Sequence, residues 1–176
     1  MTHKELLTNL VAEGVEFVVI GGTALRLYNS PRVTHDIDLA IRALDVDHVV
    51  DVMYRLGYCL VTSVTETHAA VCSSAAAARA WIERESPGSA SFVMVAGEVA
   101  SEVPLDHIDV ASQVDFLFEL TIPAMHLRKN ARRIELPDLS FLVASVDDLI
   151  RLKEARSDRS AADEDDLRFL RALKGE

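Results

Sequence analysis

Two stretches decide how this chain is read: Val15-Glu16-Phe17-Val18-Val19-Ile20-Gly21-Gly22-Thr23-Ala24-Leu25-Arg26-Leu27-Tyr28 and, after a Ser30-Pro31 break, Asp36-Ile37-Asp38-Leu39-Ala40-Ile41. Val15 to Ile20 is a short apolar, β-branched run that Gly21-Gly22 stops, and Ala24, Leu25, Leu27 and Tyr28 then suit a short helix. The second stretch alternates with period two. It sends Ile37, Leu39 and Ile41 to one face and Asp36 and Asp38 to the other, the pattern of a half-buried strand. The order is strand, glycine turn, helix, strand.

Outward from this unit, Leu6, Leu7, Leu10 and Val11 recur at helical spacing behind a Thr2-His3-Lys4-Glu5 capping box, with Gly14 placed to end the helix. Val46, Val49, Val50, Met53 and Leu56 give the next helix an apolar stripe, Gly57 can cap it, and a strand follows near Tyr58 to Val61. Ala75 to Glu83 suits a helix carrying the lone Trp81 as a core or interface residue; Ser86 to Ser91 a turn; Phe92 to Val95 a strand. Gly97 to Ser112 reads as an irregular connection before strand character resumes at Val114-Asp115-Phe116-Leu117-Phe118. Pro123 opens a helix expected to run towards Arg132, two extended pieces follow near Ile134 and Phe141, and Ser145 and Ser160 can cap two closing helices. With no repeat, linker or break in composition, the expectation is one α+β domain over residues 1–176: a small mixed sheet packed by helices, with a helical portion from about residue 145.

The chemistry lies in the carboxylates. Asp36 and Asp38 share one strand face, where like charges at close range repel by on the order of 4 kcal/mol at an effective dielectric of 20. Oxygen-only donors suit Mg²⁺, which keeps coordination positions for substrate phosphates. A third carboxylate on a neighbouring strand would allow two ions to clamp attacking and leaving oxygens. Asp115, flanked by Val114 and Phe116, is the candidate, since an unpaired carboxylate in an apolar strand is costly to desolvate. Asp-x-Asp alone is common, and both acids could face water or pair with arginine. What adds weight is Gly21-Gly22-Thr23 between a strand and a helix start, where glycines let a backbone approach phosphate, with thirteen residues separating Gly22 from Asp36.

On these residues the chain resembles the polymerase-beta type nucleotidyltransferase superfamily, whose fingerprint stands here as Ile20-Gly21-Gly22 and Asp36-Ile37-Asp38. Gly21 to Tyr28, Pro31 to Leu39 and Ser145-Val146-Asp147-Asp148-Leu149-Ile150-Arg151-Leu152-Lys153 look like the bacterial minimal and AbiEii-type members, as does Arg159 with Asp163 and Asp166. Those proteins are often toxin-like or phage-defence components. The resemblance implies that Asp36, Asp38 and Asp115 hold Mg²⁺, two ions being expected, and that Asp115 helps deprotonate the acceptor hydroxyl. It implies that Gly21, Gly22 and Thr23 bind the triphosphate, with Arg32 and Lys153 as further phosphate contacts. The implied reaction moves a nucleoside monophosphate from an NTP to an RNA 3′ end, a protein side chain or a small molecule, and a neighbouring antitoxin is an expected partner.

With 28 acidic against 18 basic residues and a net charge of −10, a nonspecific coat on duplex DNA is not expected. The densest basic cluster, Arg128, Lys129, Arg132 and Arg133, reads as a solvated helix face, with an RNA backbone contact as the alternative. No apolar run is long enough to cross a membrane, the N-terminus lacks the pattern of an export signal, and Cys59 and Cys72 suggest neither a disulfide framework nor a zinc site, so the location expected is a reducing cytoplasm. Two further readings compete. One is a catalytically inactive module of the same fold, acting as an antitoxin or regulatory partner, which a distant Asp115 would favour. The other is an unrelated Asp-x-Asp phosphohydrolase, which leaves Gly21-Gly22 without a role.

Overall fold

A computed structural model describes residues 1–97 and 99–175. It is an α+β fold in which helices pack on a nine-stranded mixed sheet of order β6-β4-β3-β5-β7-β2-β1-β9-β8. The middle is built from the stretch that opens the sequence: β1 (Val18–Ile20), α2 (Gly21–Leu27) and β2 (Ile37–Ala40). β1 runs antiparallel to β2, and all three of its residues are buried. No separate turn joins β1 to α2, because the helix begins at Gly21 itself. Beyond β2 lies β7 (Ile108–Leu117), parallel to it with Asp38 opposite Asp115.

The flanking strands β3 (Tyr58–Val64), β4 (His68–Val71), β5 (Ser89–Val95) and β6 (Glu102–Pro104) are joined antiparallel and extend the sheet past β7. At the opposite edge β8 (Arg132–Leu136) pairs with β9 (Leu139–Val143), which runs parallel to β1. The sheet is therefore larger than the small one expected from sequence. The stretch 97–112, expected to be irregular, supplies β6, a 3-10 turn over Leu105–His107 and the first half of β7. Its strand signal is faint because much of it lies at the sheet's periphery: Glu102, Asp109, Val110 and Ala111 are exposed, and no alternation of apolar residues is required there.

The helices begin where the sequence places caps. Thr2 and Glu5 close a capping box on α1 (His3–Ala12), Ser145 caps α6 (Val146–Glu154), and Ser160 with Asp163 closes a second box on α7 (Ala161–Lys174). Ser74 caps α4 (Ala75–Glu85). Val49, Val50 and Met53 of α3 (Val46–Arg55) and Ala78 of α4 share one core with Leu60, Phe92, Val114 and Phe116, and the Phe92 and Phe116 rings meet edge to face at 5.8 Å.

Arg132 does not continue a helix. α5 (Ala124–Asn130) stops short of it, and β8 begins at Arg132. The basic cluster is thereby dispersed: Arg128 pairs with Glu16, Arg132 lies over the Tyr28 ring, and Arg133 donates to Ser140 Oγ. No common cationic helix face forms from these four residues.

Candidate active site

The strand alternation around Asp38 does what its period requires. Ile37 and Leu39 are fully buried in the main core, and Asp36 and Asp38 emerge half-buried on the other face. The β2–β7 register then sets Asp115 beside Asp38, so that oxygens of Asp36, Asp38 and Asp115 all lie within 4.8 Å of one another. Asp115 is thus not held apart from the pair, the condition that would have favoured a non-catalytic module.

Each carboxylate has its own support. Thr34 donates to Asp36 Oδ1, while Thr23 Oγ1 donates to the Asp36 carbonyl at 3.0 Å and so ties α2 to the entry of β2. The Gly22 amide donates to the Asp38 carboxylate. Gln113 Nε2 donates to both Asp115 oxygens, at 3.3 and 3.1 Å, and Ser91, opposite Asp115 on β5, adds a side-chain hydrogen bond. Burial pushes the Asp38 carboxyl up to about 6, reinforced by the charges of Asp36 and Asp115 and opposed by Arg156. Burial also raises Asp115, against the pull of its bonds to Ser91 and Gln113. Three converging carboxylates form a hard-oxygen donor set, and the chemistry of that set fits a divalent cation such as Mg²⁺.

The glycines have a steric role that a turn reading does not supply. A Cβ on Gly21 would stand 1.8 Å from Asp38 Oδ2, and one on Gly22 would stand 2.9 Å from Thr34 Oγ1. The start of α2 therefore lies directly against the triad and its support, an approach available only to residues without a side chain. Gly21 also adopts a φ of +61°.

Beside Asp38 a cleft of ≈ 210 Å³ is lined by Gly21, Leu120, Leu149, Lys153 and Arg156 among others. Lys153 reaches it from α6 but is itself buried, 2.9 Å from Asp163 Oδ1 and 2.7 Å from Asp166 Oδ2. Arg32 pairs with Asp166 and Arg156 with Asp163 at 3.1 Å, so a network of two acids and three cations ties α6, α7 and the loop before β2 together. Despite the cost of burial, hydrogen bonds from Lys153 and Ser160 hold the Asp163 carboxyl well below its ordinary range. Arg159 lies outside this network, on Glu164. His35, beside Asp36, is exposed.

Of the residues singled out in the sequence, the structure brings Asp36, Asp38 and Asp115 together with Gly21, Gly22 and Thr23 against them, and it sets Lys153 in the adjoining cleft. Arg32 is engaged with Asp166. Thr34, Ser91, Gln113 and Arg156 were not picked out. Gln113 was legible in part, two residues before Asp115 and so on its strand face, whereas Ser91 needed the β5–β7 register.

Comparison with known proteins agrees with this architecture. No curated protein sequence matches the chain. Among solved structures, lincosamide antibiotic adenylyltransferase LnuA in its lincomycin-bound crystal form superposes with a TM-score of 0.55 at 12% identity, over 98% of this chain and 98% of that one. JHP933 from Helicobacter pylori gives 0.47 at 16% identity, over 95% of this chain and 62% of that one. TM1012 from Thermotoga maritima, described as a putative nucleotidyltransferase, gives 0.46 at 17%, over 100% and 97%. At such identities the likeness to LnuA is one of fold. The sequence itself matches a family pattern across residues 5–153, from α1 to the Lys153 that closes the cleft, and on that match the chain belongs to the family described as nucleotidyl transferase AbiEii toxin, type IV TA system.

Proposed function

We propose that this chain transfers a nucleoside monophosphate from an NTP to a hydroxyl acceptor in a reaction dependent on a divalent metal. The observation that carries the reading is the convergence of Asp36, Asp38 and Asp115 from two parallel neighbouring strands. Mg²⁺ held by these three carboxylates, in one or two ions, would supply charge neutralisation and polarisation at the α-phosphate. The protein's own groups do the rest. The cleft beside Asp38, lined by Gly21 at the start of α2, takes the triphosphate, with Gly22 and Thr23 following Gly21 in that helix, Lys153 and the half-exposed Arg156 as its cations and Arg32 behind them through Asp166.

Asp115, raised by burial and steadied by Ser91 and Gln113, accepts the proton of the attacking hydroxyl. The hydroxyl oxygen forms its bond to the α-phosphorus as the bond from that phosphorus to the bridging oxygen breaks, and pyrophosphate leaves. An antitoxin is the expected protein partner, by family membership. A reducing cytoplasm suits Cys59 and Cys72, which remain free thiols.

The test is incubation with each α-labelled NTP, Mg²⁺ and whole-cell extract. Magnesium-dependent label on an acceptor is expected from the wild type and not from Asp36→Ala. Equal labelling by the two proteins, or none by either, refutes the reading.

A further inference from the structure

The sheet face that carries the triad continues beyond Asp115. The row Asp38–Asp115 runs on through Ser91 of β5 to Val61 of β3. There it opens into a trough of ≈ 490 Å³ walled by Val61, Ser63, Ser91, Val93, Ile108 and Gln113. Two of these, Ser91 and Gln113, are the residues that hydrogen-bond the Asp115 carboxylate, so trough and triad share a wall. Beneath it lies a second apolar cluster, Cys59, Val71 and Val103, on which Val61 and Ile108 pack.

A bulge shapes the near side. Val114 faces Phe92 and Asp109 faces Met94, which leaves residues 110–113 of β7 without partners on β5. Ser112 fills the gap, its hydroxyl accepting from the Met94 amide at 2.9 Å and donating to the Asp109 carbonyl at 2.6 Å. Bulges beside active sites re-aim side chains. Here the bulge contains both Gln113, which meets Asp115, and Val110, which lines the trough 61% exposed.

Charge separates this trough from the cleft on the Asp38 side. The cleft has Lys153 and Arg156; the described residues that line the trough are all apolar or neutral polar. A polyanionic backbone needs clustered Lys and Arg, which the trough lacks among the described residues. Its volume is that of a small-molecule site, and sites of that kind combine apolar walls with a few placed polar groups. We infer that this trough is the acceptor subsite, and that the acceptor is an uncharged small molecule whose apolar body lies on Val61, Val93 and Ile108 and whose hydroxyl reaches Asp115. The inference rests on the nucleotidyl-transfer reading above and narrows its acceptor from three classes to one. The transfer is the one already written, with the oxygen–phosphorus bond formed on this hydroxyl, its proton passing to Asp115 and then to water, and pyrophosphate released.

The probe is hexyl β-glucoside, uncharged and hydroxyl-bearing with a six-carbon tail, titrated into the full chain and followed by amide NMR. Shifts confined to the amides of Val61, Ser91, Val93, Ile108 and Gln113, abolished by Ser63→Arg or by Val110→Arg, are expected; both variants sit at exposed positions. Absent or scattered shifts, or movement of the same amides by total tRNA, overturn the inference. In parallel, label from α-labelled NTPs and Mg²⁺ in cell extract is sorted into RNase-sensitive, protease-sensitive and reversed-phase-retained small-molecule fractions. It should appear in the last and fall at least about tenfold in either variant, with NTP·Mg²⁺ binding by calorimetry unchanged. RNase- or protease-sensitive label, or small-molecule label indifferent to both variants, overturns it. Loss of nucleotide binding in the wild type itself would instead refute the nucleotidyl-transfer reading, and the glucoside titration would still decide the trough.

Discussion

Replacing Gly21 by alanine tests whether the glycine is there for the carboxylate. The residue has φ +61°, and its added Cβ would stand 1.8 Å from Asp38 Oδ2. Gly57 is a matched control, with φ +85° and nothing within 4 Å of its Cβ. Both substitutions incur the left-handed backbone cost of about 1–2 kcal/mol, offset by about 0.4–1 kcal/mol from the less flexible unfolded chain. Only Gly21→Ala displaces Asp38 and breaks the hydrogen bond from the Gly22 amide to its carboxylate, an interaction with a charged group worth about 1.5–3 kcal/mol. Urea unfolding should therefore place Gly21→Ala about 1.5–3 kcal/mol below Gly57→Ala at equal m-value. A second readout separates packing from function. With Mg²⁺ and an ATP analogue uncleavable at the α–β bridge, at a hundred times the dissociation constant, wild type and Gly57→Ala should gain about 2.7 kcal/mol and Gly21→Ala almost nothing. Equal stabilities for the two alanine variants, with equal nucleotide stabilisation, would refute the reasoning.

Further expectations concern the charges. Lys153→Met leaves Asp163 and Asp166 buried without their shared ammonium and should cost about 3–5 kcal/mol in urea unfolding, with much of that recovered by adding Asp163→Asn and Asp166→Asn; a loss below about 1 kcal/mol contradicts the network. Because the native Asp38 carboxyl holds its proton up to about 6 against an ordinary 3.8, the metal-free protein should lose stability as pH rises through that window, by about 3 kcal/mol in all. Asp38→Asn should flatten that slope, leaving what the raised Asp115 contributes, and an unchanged profile would show that Asp38 is not its source. Mg²⁺ binding, competing with the same proton, should weaken as pH falls below about 6. Asp115→Asn should lower label transfer by at least about a hundredfold with stability kept or raised; transfer within a few-fold of wild type would remove Asp115 from the chemistry.

The sequence by itself determined the local unit. Period-two alternation can put Ile37 and Leu39 in the core only by turning Asp36 and Asp38 out, and Ser145 and Ser160 cap helices by contacts with residues three positions on. The Gly21-Gly22 signal was legible too, though its steric partners, Asp38 and Thr34, were not. Asp115 was legible as an acid too costly to leave unpaired in an apolar strand, but its meeting with Asp38 depends on a parallel pairing of distant strands. Only the tertiary structure decided which cation serves which acid: Lys153 and Arg156 converge on Asp163 through the packing of α6 against α7, and Arg32 joins them from more than a hundred residues away. The trough lay beyond the sequence: Gln113 neighbours Asp115 along its own strand, but Ser91 joins them only through the β5–β7 register, and Val61 only through the β3–β5 pairing beyond it. Local pattern records what a side chain must avoid, water or core; long-range strand pairing chooses what it meets, and no short window of sequence contains that choice.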